Sequence, residues 1–141
     1  AAGSVTAGLA RDLRPVWGPW SSETTHAWES ANAGGELHLT WPEPVRLREI
    51  RITFDTGLHR GLILSGSDSA SAKTLREPQP ECVRHYRIRV DGLPVAEVTC
   101  NLLRHRIHCF PEPLTARNVT IECIATHGGS APRVFEVRAY A

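Results

Sequence analysis

The sequence predicts an all-β protein, an antiparallel β-sandwich of the jelly-roll type. Apolar and polar residues alternate with a period of two in most segments, as in strands that bury one face. Turn-forming residues separate these segments at about 8 to 15-residue intervals, a spacing typical of sandwiches and barrels. No segment keeps a helical apolar period for more than two turns. Together these patterns favour a sheet protein over a mixed or helical one.

The longest predicted strand lies in Val45 to Arg60, VRLREIRITFDTGLHR. Ile50, Ile52 and Phe54 share one face, and the polar residues between them share the other, so one face of this strand is expected to be buried. The apolar residues at the start of the run have the opposite parity, which predicts a bulge or bend near Arg48 and Glu49.

The remaining strands follow from the same alternation. In chain order they are Ser4 to Ala10, Glu36 to Trp41, Cys82 to Val90, Val95 to Cys100, Arg106 to Phe110, Ala116 to Ala125 and Arg133 to Tyr140. Proline pairs at 42 and 44 and at 111 and 113 are expected to end strands, which gives about eight strands in total.

Turns and loops complete the predicted architecture. Asp91-Gly92 is a hairpin turn signal that joins two of the strands. Two long irregular stretches, Arg11 to Gly35 and Gly61 to Pro80, carry few periodic residues, and one helical turn is expected around Ser71 to Glu77. Loops of this length in a small domain are usually functional or disordered, and the three tryptophans in the first stretch argue against disorder.

The length and the charge of the chain limit the classes of function that it can have. The 141 residues are predicted to form a single domain with one core. The net charge of +1 does not indicate nucleic-acid binding, and no apolar run approaches the roughly 20 residues needed to span a bilayer. Because the chain has no methionine and no signal peptide, we expect a module, residues 1 to 141, excised from a longer protein.

The four cysteines, Cys82, Cys100, Cys109 and Cys123, lie in strand-like runs without the spacing of a zinc site. Cys100 and Cys109 flank a predicted hairpin and could face each other, but buried free thiols are an equal alternative. The cysteines therefore do not indicate whether the protein is found in an oxidising or a reducing compartment.

The search for catalytic groups favours a protein without enzymatic activity. The sequence has no nucleophile elbow, no phosphate loop and no carboxylate pair placed at one loop end, and its seven histidines are scattered. A binding function is the remaining expectation.

A sugar site needs an exposed aromatic plate and a few fixed hydrogen-bonding groups. Trp17 and Trp20 could be such plates, although each could instead close the end of the core. The long strand delivers His59 and Arg60 to one end of the fold, where they could bind a ligand or stabilise a loop. Arg104 belongs to a basic hairpin tip that could reach an anionic ligand, with a solvated turn as the alternative.

The order of several motifs resembles the galactose-binding-like sandwich family, which includes coagulation-factor type C (discoidin) domains and bacterial carbohydrate-binding modules. The motifs are THAW at 25 to 28, LHLTW at 37 to 41, IRITF at 50 to 54, YRI at 86 to 88, PLTAR at 113 to 117 and FEVRAY at 135 to 140. More narrowly, TFDT, ECVRHYRIRVDG and RVFEVRAY look like the C-terminal module of some bacterial FAD-dependent oxidoreductase-like proteins.

The resemblance implies further site residues at one end of the sandwich. His26, or a nearby tryptophan, would come from the first long loop, and His59 with Arg60 from the end of the long strand. The loop before the closing strand, Thr126 to Pro132, offers His127 but no large aromatic residue.

The resemblance also implies a possible structural calcium ion, with Glu136 as the carboxylate ligand. The acidic loop residue that usually precedes the Thr-x-Ala-Trp element is replaced here by Trp20-Ser21-Ser22. No cofactor is expected to be required.

The leading hypothesis is a non-catalytic carbohydrate-binding module that binds a glycan or small sugar through its end loops, beside an attached enzyme domain, outside the cell or in the periplasm. One alternative is a discoidin-like module that binds protein or phospholipid, with Trp17 and Trp20 inserted into the partner. The other is a structural accessory domain of an oxidoreductase.

Overall fold

The computed structural model describes residues 27–32, 34–57, 67–72, 75 and 77–141. Within these residues the chain forms six strands and one short helix. They are β1 (Trp28–Glu29), β2 (Gly35–Phe54), α1 (Asp68–Ala72), β3 (Val83–Val90), β4 (Leu93–Val98), β5 (His105–Thr126) and β6 (Arg133–Tyr140). The predicted strand Ser4 to Ala10 lies outside the described residues.

The six strands form one antiparallel sheet that folds over into two layers. Their order is β1-β6-β2-β5-β3-β4. β2 and β5 pair with each other in three segments, and the two interruptions between these segments form a corner in the middle of each strand. The segments before and after the corner face each other, because Phe54 in β2 lies 4.9 Å, ring to ring, from Tyr86 in β3, which is not its neighbour in the sheet. The predicted antiparallel β-sandwich is thus confirmed.

The corners correct the prediction that prolines end strands. Pro42 and Pro44 lie inside β2, and Pro111 and Pro113 lie inside β5, so that four predicted strands become two. Pairing between β2 and β5 is interrupted at both proline pairs, so their missing N–H groups remove no ladder hydrogen bond.

The interruption at Pro111 and Pro113 of β5 lies opposite Arg48, between Leu47 and Glu49 of β2, where the register of the two strands shifts. It confirms the bulge predicted near Arg48 and Glu49. A bulge increases local twist and bends the strand, which suits a strand that crosses from one layer to the other.

The hairpin at Asp91-Gly92 is also confirmed. Asp91 and Gly92 have φ angles of 49° and 85°, and they join β3 to β4. Two successive residues with positive φ form the turn whose twist matches that of the flanking strands. The Asp91 carboxylate accepts hydrogen bonds from the backbone N–H groups of Arg117 and Asn118, at 3.0 and 2.8 Å, and thereby ties the turn to β5.

The core fills the space between the two layers. Its members are buried apolar residues of β2, β3, β5 and β6: Leu37, Leu39, Leu47, Ile50, Ile52, Phe54, Val83, Tyr86, Ile88, Val90, Ala116, Val119, Ile121, Cys123, Val134, Val137 and Ala139. Trp28 and Trp41 are partly buried against this core. The Tyr86 hydroxyl is 2.9 Å from Nε2 of His108, so its polar end is paired.

Three details differ from the predictions. The helix is Asp68–Ala72 rather than a turn around Ser71 to Glu77, and the predicted irregular stretch Arg11 to Gly35 contains β1. The outward face of β2 is not solvated at its end, since Thr53 and Asp55 are 8% and 5% exposed. The expectation of one buried face therefore holds only for the earlier part of the strand.

All four cysteines are free; Cys82 and Cys123 are buried, and Cys100 and Cys109 are exposed. Cys100 and Cys109 thus form no disulfide, and only two of the four thiols match the buried alternative. Among the described residues no helix has the length and apolar character of a membrane span.

Candidate functional site

Several loops of the described chain converge at one end of the sandwich, here called the loop end. The Ser30 N–H donates to the Pro132 carbonyl at 3.2 Å, and the Asp55 N–H donates to the Arg133 carbonyl at 3.2 Å. The Gly129 N–H donates to the Pro80 carbonyl at 2.7 Å. These bonds join the described parts of the first long loop, the segment after β2 and the loop before β6, as the sequence predicted for these three regions.

Asp55 is a buried carboxylate of the loop end. Its Oδ1 accepts the Gly57 N–H at 2.8 Å, an Asx-type turn that fixes the exit of β2. Its Oδ2 lies 3.7 Å from Nη1 of Arg133, and Asp55 itself is only 5% exposed. A buried carboxylate beside a guanidinium is a rigid hydrogen-bond acceptor.

Arg133 links Asp55 to β1. Its Nε and Nη2 donate to the two carboxylate oxygens of Glu29 at 2.9 and 3.3 Å. This bidentate bond to Glu29 is the main reason why the pKa of Arg133 is raised. The three side chains form a chain of alternating charge across the ends of β1, β6 and β2.

Arg104 is held against this cluster rather than lying on a solvated turn. Its carbonyl accepts the Phe54 N–H at 2.7 Å, and its Nη1 donates to the Phe54 carbonyl at 3.4 Å. Its guanidinium carbon lies 4.8 Å from the ring centroid of Phe135, a cation–π arrangement. Burial lowers the pKa of Arg104, while the Asp55 carboxylate acts in the opposite direction.

Phe135 supplies an aromatic ring that the sequence analysis assigned to no role at the site. The register between β2 and β6 shifts between Thr53 and Phe54, which pair with Glu136 and Val134, so Phe135 is the extra residue of a bulge. The sequence signal for this bulge is Val134, an apolar residue whose parity is opposite to that of Phe135, Val137 and Ala139.

His127 contacts a buried asparagine, and this contact limits what the ring can do. Its Nε2 lies 2.7 Å from the Asn101 carbonyl, and because a carbonyl only accepts, Nε2 must carry the proton. Nδ1 is the ring nitrogen left for another partner when His127 is neutral. One ring nitrogen of His127 therefore holds the loop in place through Asn101.

Asn101 is fully buried, and the sequence analysis missed it. Its Nδ2 donates to the Val83 and Leu103 carbonyls at 2.9 and 3.1 Å, and its Oδ1 accepts the Leu103 N–H at 3.1 Å. Its own N–H donates to the Arg84 carbonyl at 2.8 Å. One side chain thus connects the start of β3 to the loop that presents Arg104.

The other predicted ligand residues, Trp17, Trp20, His26, His59 and Arg60, lie outside the described residues. The chain connects two of them to the loop end, because residues 58–60 directly follow Gly57. Their roles remain predictions.

Glu136, the predicted calcium ligand, is 6% exposed. Its Oε1 lies 2.7 Å from Nη2 of Arg138 but receives no properly aligned hydrogen bond, so the two form an ion pair only. No group of three or more His, Cys, Asp or Glu side chains in the described ranges could hold a metal ion. The calcium site remains a prediction, because it also relies on loop carbonyls near the Thr-x-Ala-Trp element, most of which lies outside the described residues.

The chemistry of the loop end is that of recognition. Guanidinium groups donate, carboxylates accept and an aromatic ring offers an apolar face. Burial raises the pKa of the Cys82 thiol to about 11 and that of Cys123 to about 12, so neither is a nucleophile at neutral pH.

Comparison with solved structures shows the same fold in carbohydrate-binding modules. The family 32 module of EndoD from Streptococcus pneumoniae aligns over 81% of this chain and 74% of its own, with a TM-score of 0.59 and 15% identity. The family 32 module of NanJ from C. perfringens, solved in complex with galactose, aligns over 82% and 76%, with a TM-score of 0.57 and 18% identity.

A chitosan-binding module of a chitosanase/glucanase from Paenibacillus sp. IK-5 aligns over 100% of this chain and 94% of its own, with a TM-score of 0.60 and 13% identity. No family model and no curated protein matches the sequence. At these identities the likeness establishes the galactose-binding-like β-sandwich fold, as the sequence motifs predicted.

Proposed function

We propose that this protein is a non-catalytic carbohydrate-binding module that holds a glycan at the loop end. The observation that carries the proposal is the convergence of Asp55, Arg104, Arg133 and Phe135 at the end of a fold shared with galactose- and chitosan-binding modules. A sugar presents C–H faces and hydroxyl edges, which match an aromatic ring beside fixed donors and acceptors.

The binding site would be completed by residues from the adjoining segments. Trp17 or Trp20 would stack on an apolar sugar face, and His26, His59, Arg60 and His127 would bind hydroxyl groups. Since Arg133 is already paired with Glu29 and Asp55, the described charges at this end largely offset each other. A neutral sugar therefore fits better than a strongly anionic one.

The test is a glycan array that includes galactose-terminated glycans and chitosan oligomers, followed by calorimetric titration of each hit. Removing Arg60 should weaken binding by about 1.5 to 3 kcal/mol, because its hydrogen-bonding partners would be left unpaired. Arg104→Ala should weaken it similarly, with a thermal melt to exclude unfolding.

Arg89→Ala is the matched control, because Arg89 lies 2.8 Å from Glu122 near the Asp91-Gly92 turn, whereas the opposite end of β3, at Val83, contacts Asn101. If the array gives no hit, a structural accessory role replaces the proposal. If Arg60→Ala, His59→Ala and Trp20→Ala all bind as the parent does, the site lies elsewhere.

Further parts of the proposal concern context. The module would be appended to an enzyme domain, have no activity itself and act outside the cell or in the periplasm. Assaying hydrolysis of every glycan that binds tests the absence of activity, since product release would contradict it. A reporter fusion to the parent gene tests export.

A further inference from the structure

We propose that the first segment of β5, His105–Phe110, is an open sheet edge that binds an extended acidic peptide by strand addition. This edge segment pairs with β2 on one side, and among the described residues no strand pairs with its other side. This surface differs from the proposed glycan site, and the proposal does not depend on glycan binding.

The hydrogen-bonding pattern identifies the available backbone groups. The Phe54 N–H donates to the Arg104 carbonyl, and the register places these two residues opposite each other. Hydrogen-bonded pairs alternate with non-bonded pairs in an antiparallel ladder. The N–H and C=O groups of His105, Ile107 and Cys109 therefore point away from β2, toward the open edge.

The side chains at the same positions are accessible. His105, Ile107 and Cys109 are all exposed on the outer face of the sheet, and Ile107 is 51% exposed despite being a large apolar residue. The ladder is bounded by Asn101, which fixes the preceding loop, and by Pro111, which has no N–H. A docked strand would therefore span about five or six residues.

Charge selects the occupant. The edge segment contains one arginine and two histidines but no acidic residue. An antiparallel pair of two such edges centred on Ile107 would place Arg106 of each copy opposite His108 of the other. Grouped basic side chains disfavour a second copy of this chain and favour an acidic strand.

The other open edges among the described residues differ, because each carries an acidic residue, namely Glu29 in β1, Glu36 in β2, Glu136 in β6 and Glu97 in β4. β4 contains Pro94 and Glu97, two residues that natural proteins use to block pairing at an edge. The edge segment lacks both devices until Pro111. Strand addition needs only main-chain hydrogen bonds with side-chain selection at alternate positions, which the edge segment offers.

The experiment measures the binding of a labelled eight-residue peptide that alternates Glu and Val, by fluorescence anisotropy with the full chain. A second peptide alternates Lys and Val, and a third repeats the acidic sequence with every second amide N-methylated. We expect the acidic peptide to bind about tenfold more tightly than the basic one, with binding reduced by salt. The methylated peptide should lose binding, because one of its edges cannot donate hydrogen bonds.

Variants locate the surface. His105→Glu, at an exposed position, should weaken binding of the acidic peptide about fivefold by like-charge repulsion. Thr115→Glu, exposed on the same strand beyond the prolines, is the matched control and should change nothing. Hydrogen exchange should slow at the amides of His105, Ile107 and Cys109 when the peptide is bound.

Equal affinity for the acidic and basic peptides, no binding of either, or unchanged binding by the methylated peptide would each overturn the proposal. Protection of β4 amides instead of the edge segment would overturn it as well. Concentration-dependent dimers that disappear in His105→Glu would show that a second copy occupies the edge.

Discussion

Asn101→Ala should destabilise the protein more than its size suggests. The change removes two hydrogen bonds to the Val83 and Leu103 carbonyls and one from the Leu103 N–H, all in a fully buried environment. At about 1 kcal/mol for each bond, the expected loss of unfolding free energy is about 3 kcal/mol. For a domain of this size that corresponds to a fall in Tm of about 10 °C.

Asn118→Ala is the control for Asn101→Ala, because Asn118 is exposed and its Oδ1 accepts one side-chain hydrogen bond, from Thr40 at 3.0 Å. It should cost less than about 0.5 kcal/mol. Urea denaturation followed by tryptophan fluorescence gives both values. If Asn101→Ala costs no more than Asn118→Ala, the buried amide does not hold the loops together, and the reasoning about the loop end is wrong.

Three further changes test other parts of the structure. Gly92→Ala should cost about 1 to 2 kcal/mol, because φ is 85° while no atom lies within 4 Å of the new Cβ, and a thermal melt with no shift would contradict this. Burial, with a smaller effect from Arg106, lowers the pKa of His108, so its stabilising contribution is present above about pH 6.5 and is lost as the pH falls through the lowered pKa. The difference in unfolding free energy between wild type and His108→Gln should therefore change below pH 6.5 and be constant above it. Far-ultraviolet circular dichroism in excess chelator should show the folded sheet, and a melting midpoint that rises with added calcium would reveal a site, since saturation at a thousand times Kd adds about 4 kcal/mol.

The fold was predictable because its signals are local. The two-residue alternation located all the long strands, and Asp91-Gly92 marked the hairpin, since each depends on neighbours in sequence. The prediction that prolines 42, 44, 111 and 113 end strands was wrong, because the effect of a proline depends on the partner strand. A proline ends a strand only where its N–H is needed, and here each proline pair lies at its own interruption of the ladder between β2 and β5.

The loop end was predictable only in outline. The convergence of three regions followed from the strand order implied by the resemblance, but the contacts within it are long-range. Arg133 with Glu29 and Arg104 with Phe135 are separated by 104 and 31 residues, and no local pattern relates them. Asn101 could not be identified because an isolated asparagine in a loop normally indicates a turn.

The same arrangement explains why changes in the loops need not disturb the sandwich. The core closes between the two layers through residues such as Phe54 and Tyr86, whereas the loop end is held by backbone hydrogen bonds, ion pairs and the Asn101 amide. Apolar burial dominates stability, and exposed ion pairs contribute little, so the layers can tolerate an altered charge at Glu29, whereas Arg133 also pairs with the buried Asp55 carboxylate. We infer that specificity at the loop end can change with little loss of fold, which is consistent with one sandwich serving modules whose ligands include galactose and chitosan.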